Sequence, residues 1–296
     1  FEKSVPGTLT VEPKKVSIKV NSYTKVYGTA DPVFDGVVNG LVNNDDLGKI
    51  TYARTETDAE KENVNDTISL TASYNANNNY EVTVENGILT IINSSENAVN
   101  AIGQSVVYDG KKYGLKEVSS LRPESTLLYS TDNVTFSENL PTFTEAGTYT
   151  VYVKATNPNY NETPVVEGTV VISKREIAIT AASAEKRYDG NDLTAPTAEI
   201  TSGTLAEGQT LESVTVAGSQ KTTGTSANVA SNAVIRAGDA DVTANYAITY
   251  VDGTLTVTSS GNHNGGNDGG GSTPDNNKPY VPNGPGTDDG PTVTID

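Results

Sequence analysis

Three landmarks recur in the same order along this 296-residue chain, and a recurrence of this kind restricts it to a row of small, similar units. The first is a tyrosine followed by Gly or Asp-Gly: Tyr27-Gly28, Tyr108-Asp109-Gly110 and Tyr188-Asp189-Gly190. The second is an Asn-Tyr pair: Asn79-Tyr80, Asn159-Tyr160 and Asn245-Tyr246. The third is a glycine, Gly87, Gly168 or Gly253, opening an alternating run (GILTI, GTVVI, GTLTV). The landmark tyrosines lie 81 and 80 residues apart, and each Asn-Tyr tyrosine precedes its glycine by 7, 8 and 7 residues. A unit of this size buries only about 60% of the surface its unfolded chain exposes, so each is marginal alone and the junctions between units matter.

The local pattern reads as strand. YEVTVENGILTI at 80–91 and YAITYVDGTLTV at 246–257 are alternating runs around Asn86-Gly87 and Asp252-Gly253. Such dipeptides supply the positive φ angles of two-residue hairpins, so both stretches are expected to fold back on themselves with Gly87, Gly168 and Gly253 as turn residues. In TYTVYVKA at 148–155, Tyr149, Val151 and Val153 share one face. Helix is limited to a turn or two at 58–63 or 40–47. The fold class is therefore mostly β: tandem small modules, β-grasp-like or β-sandwich-like, in an elongated array. Residues 1–11, ending in GTLTV, read as the final strand of a preceding repeat. Modules follow at 12–92, 93–173 and 174–258. The second and third are joined by only four polar residues (173–176), which implies a stiff junction, whereas 93–103 reads as a looser one. Beyond 258 the sequence turns to Gly, Asn, Asp and Pro without apolar periodicity, and 259–296 is expected to be a disordered linker.

Composition removes several functions. With 37 Asp and Glu against 20 Lys and Arg, the formal charge of −17 opposes binding to nucleic acid or to an anionic membrane. No cysteine means no disulfide, thiolate metal site or cysteine nucleophile. No apolar run approaches the roughly 20 residues that cross a bilayer. The absence of methionine, even at position 1, reads as a piece of a longer protein. The one histidine, His263, falls in the linker, so no histidine triad can assemble on a rigid scaffold.

The residues around these landmarks resemble two families of bacterial surface repeat. Module one resembles the MBG domain of the YGX type through Tyr27-Gly28, Asp31-Pro32, the VNGL run at 38–41 and Asp45-Asp46-Leu47. Module three resembles the YDG domain through AEKRYDG at 184–190, Gly218, Gly224 and Asn245-Tyr246. Module two shares Tyr108-Asp109-Gly110 and AGTY at 146–149 with these repeats and departs in between. The resemblance implies an extracellular protein of a bacterial cell surface or cell wall, with β-grasp-like modules. It further implies mucin or another host glycan as a ligand class, or service as an accessory arm of a secreted glycoside hydrolase.

Candidate chemistry is sparse. The landmark tyrosines are expected to fill each module's core. Tyr113, Tyr152 and Tyr250 are the candidates for stacking on sugar rings. The clusters at 43–46 and 239–241 read as solvated turns, with calcium as the alternative. Lys25 or Lys186 with Asn79 or Asn245 is the candidate set for a self-formed isopeptide bond, against which module two has Val106 near the matching place instead of lysine. No catalytic, cofactor or metal residues are assigned, and the chain is expected to be monomeric and not an enzyme. The leading reading is a non-catalytic stalk or spacer. The alternative is an adhesin whose recognition sits where the copies differ, at 39–66, 129–145 and 202–241.

Overall fold

The structure, a computed structural model, describes Phe1, Lys3, residues 6–44 and residues 46–260. Asp45, His263 and the expected linker beyond 260 lie outside the described residues. Module one contains β1 (Lys14–Val20), β2 (Tyr23–Val26), β3 (Gly36–Asn39), β4 (Thr51–Arg54), β5 (Ile68–Ser73), β6 (Tyr80–Glu85) and β7 (Gly87–Ile92). They form two sheets, β3-β1-β6 and β2-β7-β5-β4. Val16, Ile18 and Val20 of the first face Ile68, Leu70, Leu89 and Ile91 of the second in one buried core. The buried residues fall on alternate positions of β1, β5 and β7, the period-two pattern of half-buried strands. Each module is a two-layer sandwich, which decides between the two β classes expected.

Module three repeats the plan with β14 (Arg175–Ala181), β15 (Ala184–Arg187), β16 (Ala198–Ser202), β17 (Gln209–Ala217), β18 (Gly224–Ala237), β19 (Ala240–Asp241), β20 (Tyr246–Val251) and β21 (Gly253–Thr258). Its sheets are β16-β14-β20 and β15-β21-β18-β17, with β19 paired to β18. Module two has β8 (Val99–Ile102), β9 (Gln104–Val107), β10 (Glu117–Ser120), β11 (Thr126–Ser130), β12 (Gly147–Thr156) and β13 (Val166–Ser173). Its second sheet, β11-β12-β13-β9, is complete, but its first is reduced to β10-β8. The counterpart of β6 and β20 is missing there. Thr163 turns onto the other sheet instead, where its N–H donates to the Ala155 carbonyl and its hydroxyl accepts the Ala155 N–H.

The expected hairpins do not form. β6 pairs in parallel with β1, and β7 pairs with β2 and β5, so the chain crosses from one sheet to the other at Asn86-Gly87. The register is continuous through the crossing: Lys14 lies opposite Tyr80 and Val26 opposite Ile92. β14-β15 and β20-β21 do the same in module three. Two strands thus bend together from one sheet into the other, and their corners touch. A Cβ on Gly87 would lie 2.4 Å from the Asn21 carbonyl oxygen, and one on Gly253 would lie 2.3 Å from that of Ala182. Close backbone approach, rather than a left-handed turn, is what requires these glycines. Positive φ belongs instead to the first landmark, at Gly28, Gly110 and Gly190.

Helix among the described residues amounts to two 3-10 turns, Glu56–Asp58 and Thr243–Asn245. The stretch at 40–47 holds turns and bends. Residues 6–13 form no strand, and Leu9 and Val11 are exposed. The segment expected to be loose, 93–103, contains β8 and is pinned at its start, where Asn93 Nδ2 donates to the carbonyls of Pro158 and Tyr160.

Candidate functional site at the module junctions

The parallel ladder fixes where the landmarks stand. It begins at the Asn-Tyr tyrosine, with Lys14 opposite Tyr80 and Arg175 opposite Tyr246. It ends at the Tyr-Gly tyrosine, whose N–H donates to the last residues of the closing strand: Tyr27 to Ile92, Tyr108 to Ser173, Tyr188 to Thr258. The two tyrosines of one module therefore mark its opposite poles. Because β13 runs into β14 through Lys174 alone, the end pole of one module meets the start pole of the next.

At the second junction the Tyr108 ring meets Tyr246 edge to face at 5.7 Å. Gln209 bridges the two phenols: its amide donates to the Tyr108 hydroxyl at 2.9 Å, and the Tyr246 hydroxyl donates to it at 2.6 Å. Burial pushes the Tyr246 phenol pKa up. Beside the rings, Asn245 Oδ1 accepts the Ala146 N–H at 2.7 Å and its Nδ2 donates to the Glu145 carboxylate. Arg175 closes the rim by donating to Thr204 and to the Tyr108 carbonyl. Tyr108 is 1% exposed and Asn245 2%, and one continuous apolar core spans both modules.

The first junction uses the same parts. Tyr27 meets Tyr160 edge to face at 5.3 Å. Asn159 Oδ1 accepts the Val64 N–H at 2.9 Å, and its Nδ2 donates to Asn63 Oδ1 at 3.0 Å. In both places the Asn side chain therefore takes a backbone N–H and a side-chain oxygen from two consecutive residues of the preceding module. Here, however, the cores of modules one and two stay separate. The Arg122 guanidinium lies 5.2 Å from the Tyr160 ring centre in place of further apolar packing.

Of the six landmark tyrosines expected in the module cores, Tyr108 and Tyr246 are buried in the core that modules two and three share, Tyr27 and Tyr160 meet at the first junction, Tyr80 packs against the core of module one, and Tyr188 is largely exposed, because the ladder carries them to the poles. Sequence reasoning missed the role of the asparagines altogether. The available signal was a fixed polar residue beside each tyrosine, for which a core has no use.

Among the described residues the other expected sites are not assembled. Lys25, with 4% of its side chain exposed, is held by Asp31 at 2.9 Å and Glu62 at 2.7 Å. Burial alone would lower its pKa, but the hydrogen bonds it donates to Glu62 and Asp31 win and raise it. The Arg54 guanidinium pairs with the same two carboxylates and holds Asp31 below its usual range. Lys186 binds Asp189 and the Asn191 carbonyl. Neither lysine meets Asn79 or Asn245, so the isopeptide arrangement is absent. Tyr113 donates to Asp109, and the Tyr250 hydroxyl accepts the Ala233 N–H. Tyr152 stands on β12 opposite Ser130 and Glu167. These three occupy separate places rather than one platform. Asp46 accepts the Tyr80 hydroxyl and the Asn43 N–H, and Asp241 accepts the Thr243 N–H. No group of three His, Asp or Glu is arranged for a metal ion among the described residues.

The stretches where the copies differ are only partly loops. Much of 202–241 is the β17–β18 ribbon. Asn63-Val64 and Glu145-Ala146, at or beside the ends of the other two stretches, are the very residues that receive Asn159 and Asn245.

Residues 16–90 match the sequence model of the MBG domain (YGX type), which identifies module one. No curated protein matches the chain. Similar solved structures include Drosophila N-cadherin EC1-3, at 10% identity and a TM-score of 0.30, covering 81% of this chain and 98% of that one. Sidekick-1 immunoglobulin domains 1-5 align at 11% identity and a TM-score of 0.35, over 81% of this chain and 58% of that one. The Clostridium thermocellum CbhA fibronectin(III)-like modules align at 15% identity and a TM-score of 0.19, over 55% of this chain and 94% of that one.

Proposed function

We propose that this chain, whose first module is an MBG domain, is a stretch of non-catalytic extracellular stalk from a bacterial surface protein. The YDG resemblance of module three belongs to the same proposal. One observation carries it: the residues the modules share are used to clamp each module to the next. An Asn-Tyr pair that grips its neighbour twice in the same way sets a repeated angle and reach, which is the mechanical duty of a spacer. The acidic surface keeps such a molecule soluble and apart from its neighbours.

The test has two arms. Fluorophore pairs placed across each junction report a single narrow distance in the native chain and a broad one in Asn245→Ala combined with Tyr108→Ala. Surface-immobilised chain shows no saturable binding to mucin or to a glycan panel. Saturable binding, lost when one of the stretches 39–66, 129–145 or 202–241 is exchanged, replaces the stalk with the adhesin alternative.

A further inference from the structure

Counting back from the Tyr-Gly tyrosine aligns the central strands of the three modules. Nine and seven residues before it stand Ile18 and Val20 in β1, Val99 and Ala101 in β8, and Ile179 and Ala181 in β14. In modules one and three these inward side chains are sealed, at no more than 3% exposure. Val99 and Ala101 are only half-buried, although they pack against the core that modules two and three share. The difference lies in the neighbouring strand. Ile18 stands opposite Val84 of β6 and Ile179 opposite Tyr250 of β20, whereas β8 has no strand on that side.

The backbone is open at the same place. The Ala98 and Ile102 carbonyls accept the N–H groups of Leu121 and Lys116, which flank β10. Bonding alternates along an antiparallel pair, so Val99 and Ala101, out of phase with these two, turn their N–H and C=O groups away from β10. Among the described residues no hydrogen bond reaches them there. The chain's own next segment is committed elsewhere. A parallel bridge forms between Ser94 and Tyr160, as at the start of the other ladders, and goes no further. Thr163 is bonded to Ala155 on the other sheet, and Pro164 has no N–H to give to a ladder.

We propose that the β8 edge docks an extended segment of a second protein, which adds in parallel as the strand that module two lacks. Modules one and three show what this place accepts: a parallel strand with apolar residues at alternate positions, YEVTVE in β6 and YAITYV in β20. The site is continuous with the first junction, because the guest extends the ladder begun at Ser94 and Tyr160. Main-chain bonds to Val99 and Ala101 supply affinity, and the alternate apolar side chains, closing over the half-open core, supply specificity. The chain's net charge of −17 selects a neutral or basic segment over an acidic one. The inference concerns module two alone and does not rest on the stalk reading.

The probe is a labelled synthetic peptide of residues 246–251, YAITYV, with two lysines added for solubility. Fluorescence anisotropy with the full chain is expected to show saturable binding, weakened roughly tenfold or more by Ile248→Asp in the peptide. Methylating alternate peptide nitrogens should abolish binding in one phase and leave it within about twofold in the other, because only one set faces β8. With the peptide bound, amide exchange at Val99 and Ala101 should slow roughly tenfold or more while β1 and β14 stay unchanged. No saturable binding overturns the proposal, and so do equal effects of the two methylation phases or protection that falls outside β8. Self-association of the chain that the peptide displaces would make a second copy the occupant, and would overturn it equally.

Discussion

Asn79, Asn159 and Asn245 hold the same place in three modules and meet three different surroundings. Asn79 is exposed, Asn159 is half-buried, and Asn245 is 2% exposed with both ends of its amide bonded to module two. Removing Asn245 leaves the half-buried Ala146 N–H without its partner and opens a gap at a 2% exposed position, while the exposed Glu145 carboxylate turns to water. Asn245→Ala should therefore cost about 1–3 kcal/mol, whereas Asn79→Ala should change stability by less than about 0.5 kcal/mol. Urea midpoints of the two variants check this, and equal losses would count against the clamp. A different residue governs the response to acid. The Lys61 ammonium first, and the Ser69 N–H second, hold the Asp58 carboxyl down at about 2 from an ordinary 3.8. Asp132 and Asp189 in the other modules are also lowered to about 2, the first chiefly by the Ser130 hydroxyl and the second chiefly by Lys186. Their folded pKa values are depressed, so the stability they confer is fully present above about pH 4 and is lost as pH falls toward about 2. The thermal midpoint should stay nearly flat between about pH 7 and 5 and then fall. Asp58→Asn should flatten the module-one part of that fall, as followed by calorimetry across the acid range.

Among the elements, what was legible in the sequence and what was not separate cleanly at Asn86-Gly87. The alternation in β6 and β7 was readable because a buried face imposes a period of two on the residues that line it. The partner of each strand was not, since alternation is blind to which sheet a strand joins. An Asn-Gly step suits a hairpin and equally suits a corner where a carbonyl 66 residues away presses on the missing side chain. Only the parallel pairing of β1-β2 with β6-β7 distinguishes the two, and that pairing is non-local. The tyrosines were ambiguous for a similar reason: one per module at one position fits a core and a junction alike. Module two extends the point, because its missing third strand leaves β8 paired on one side only. An edge strand in a two-stranded sheet opens at low cost. Amide exchange in β8 should therefore be roughly tenfold or more faster than in β1 and β14, which have neighbours on both sides. Equal protection in all three strands would mean that something else seals that edge.

Over the whole molecule, the two junctions differ in kind although they use the same residues. Tyr108 and Tyr246 merge the cores of modules two and three, while Tyr27 and Tyr160 join modules whose cores remain apart. Burial beyond the hydrogen-bonded clamp determines how much of one module's stability depends on the next. Modules two and three should consequently unfold as one cooperative unit and module one separately, giving two calorimetric transitions. Tyr108→Ala should split the larger transition. It removes a nearly fully buried aromatic side chain, at a cost of about 3–5 kcal/mol by analogy with other aromatic-to-alanine core changes, and unpairs Gln209. Tyr27→Ala, at the half-buried junction, should leave two transitions in place and move only the one that belongs to module one. A single transition for the native chain would mean that the first junction couples as strongly as the second. Three transitions in the native chain would mean that a shared core does not by itself make two modules unfold together.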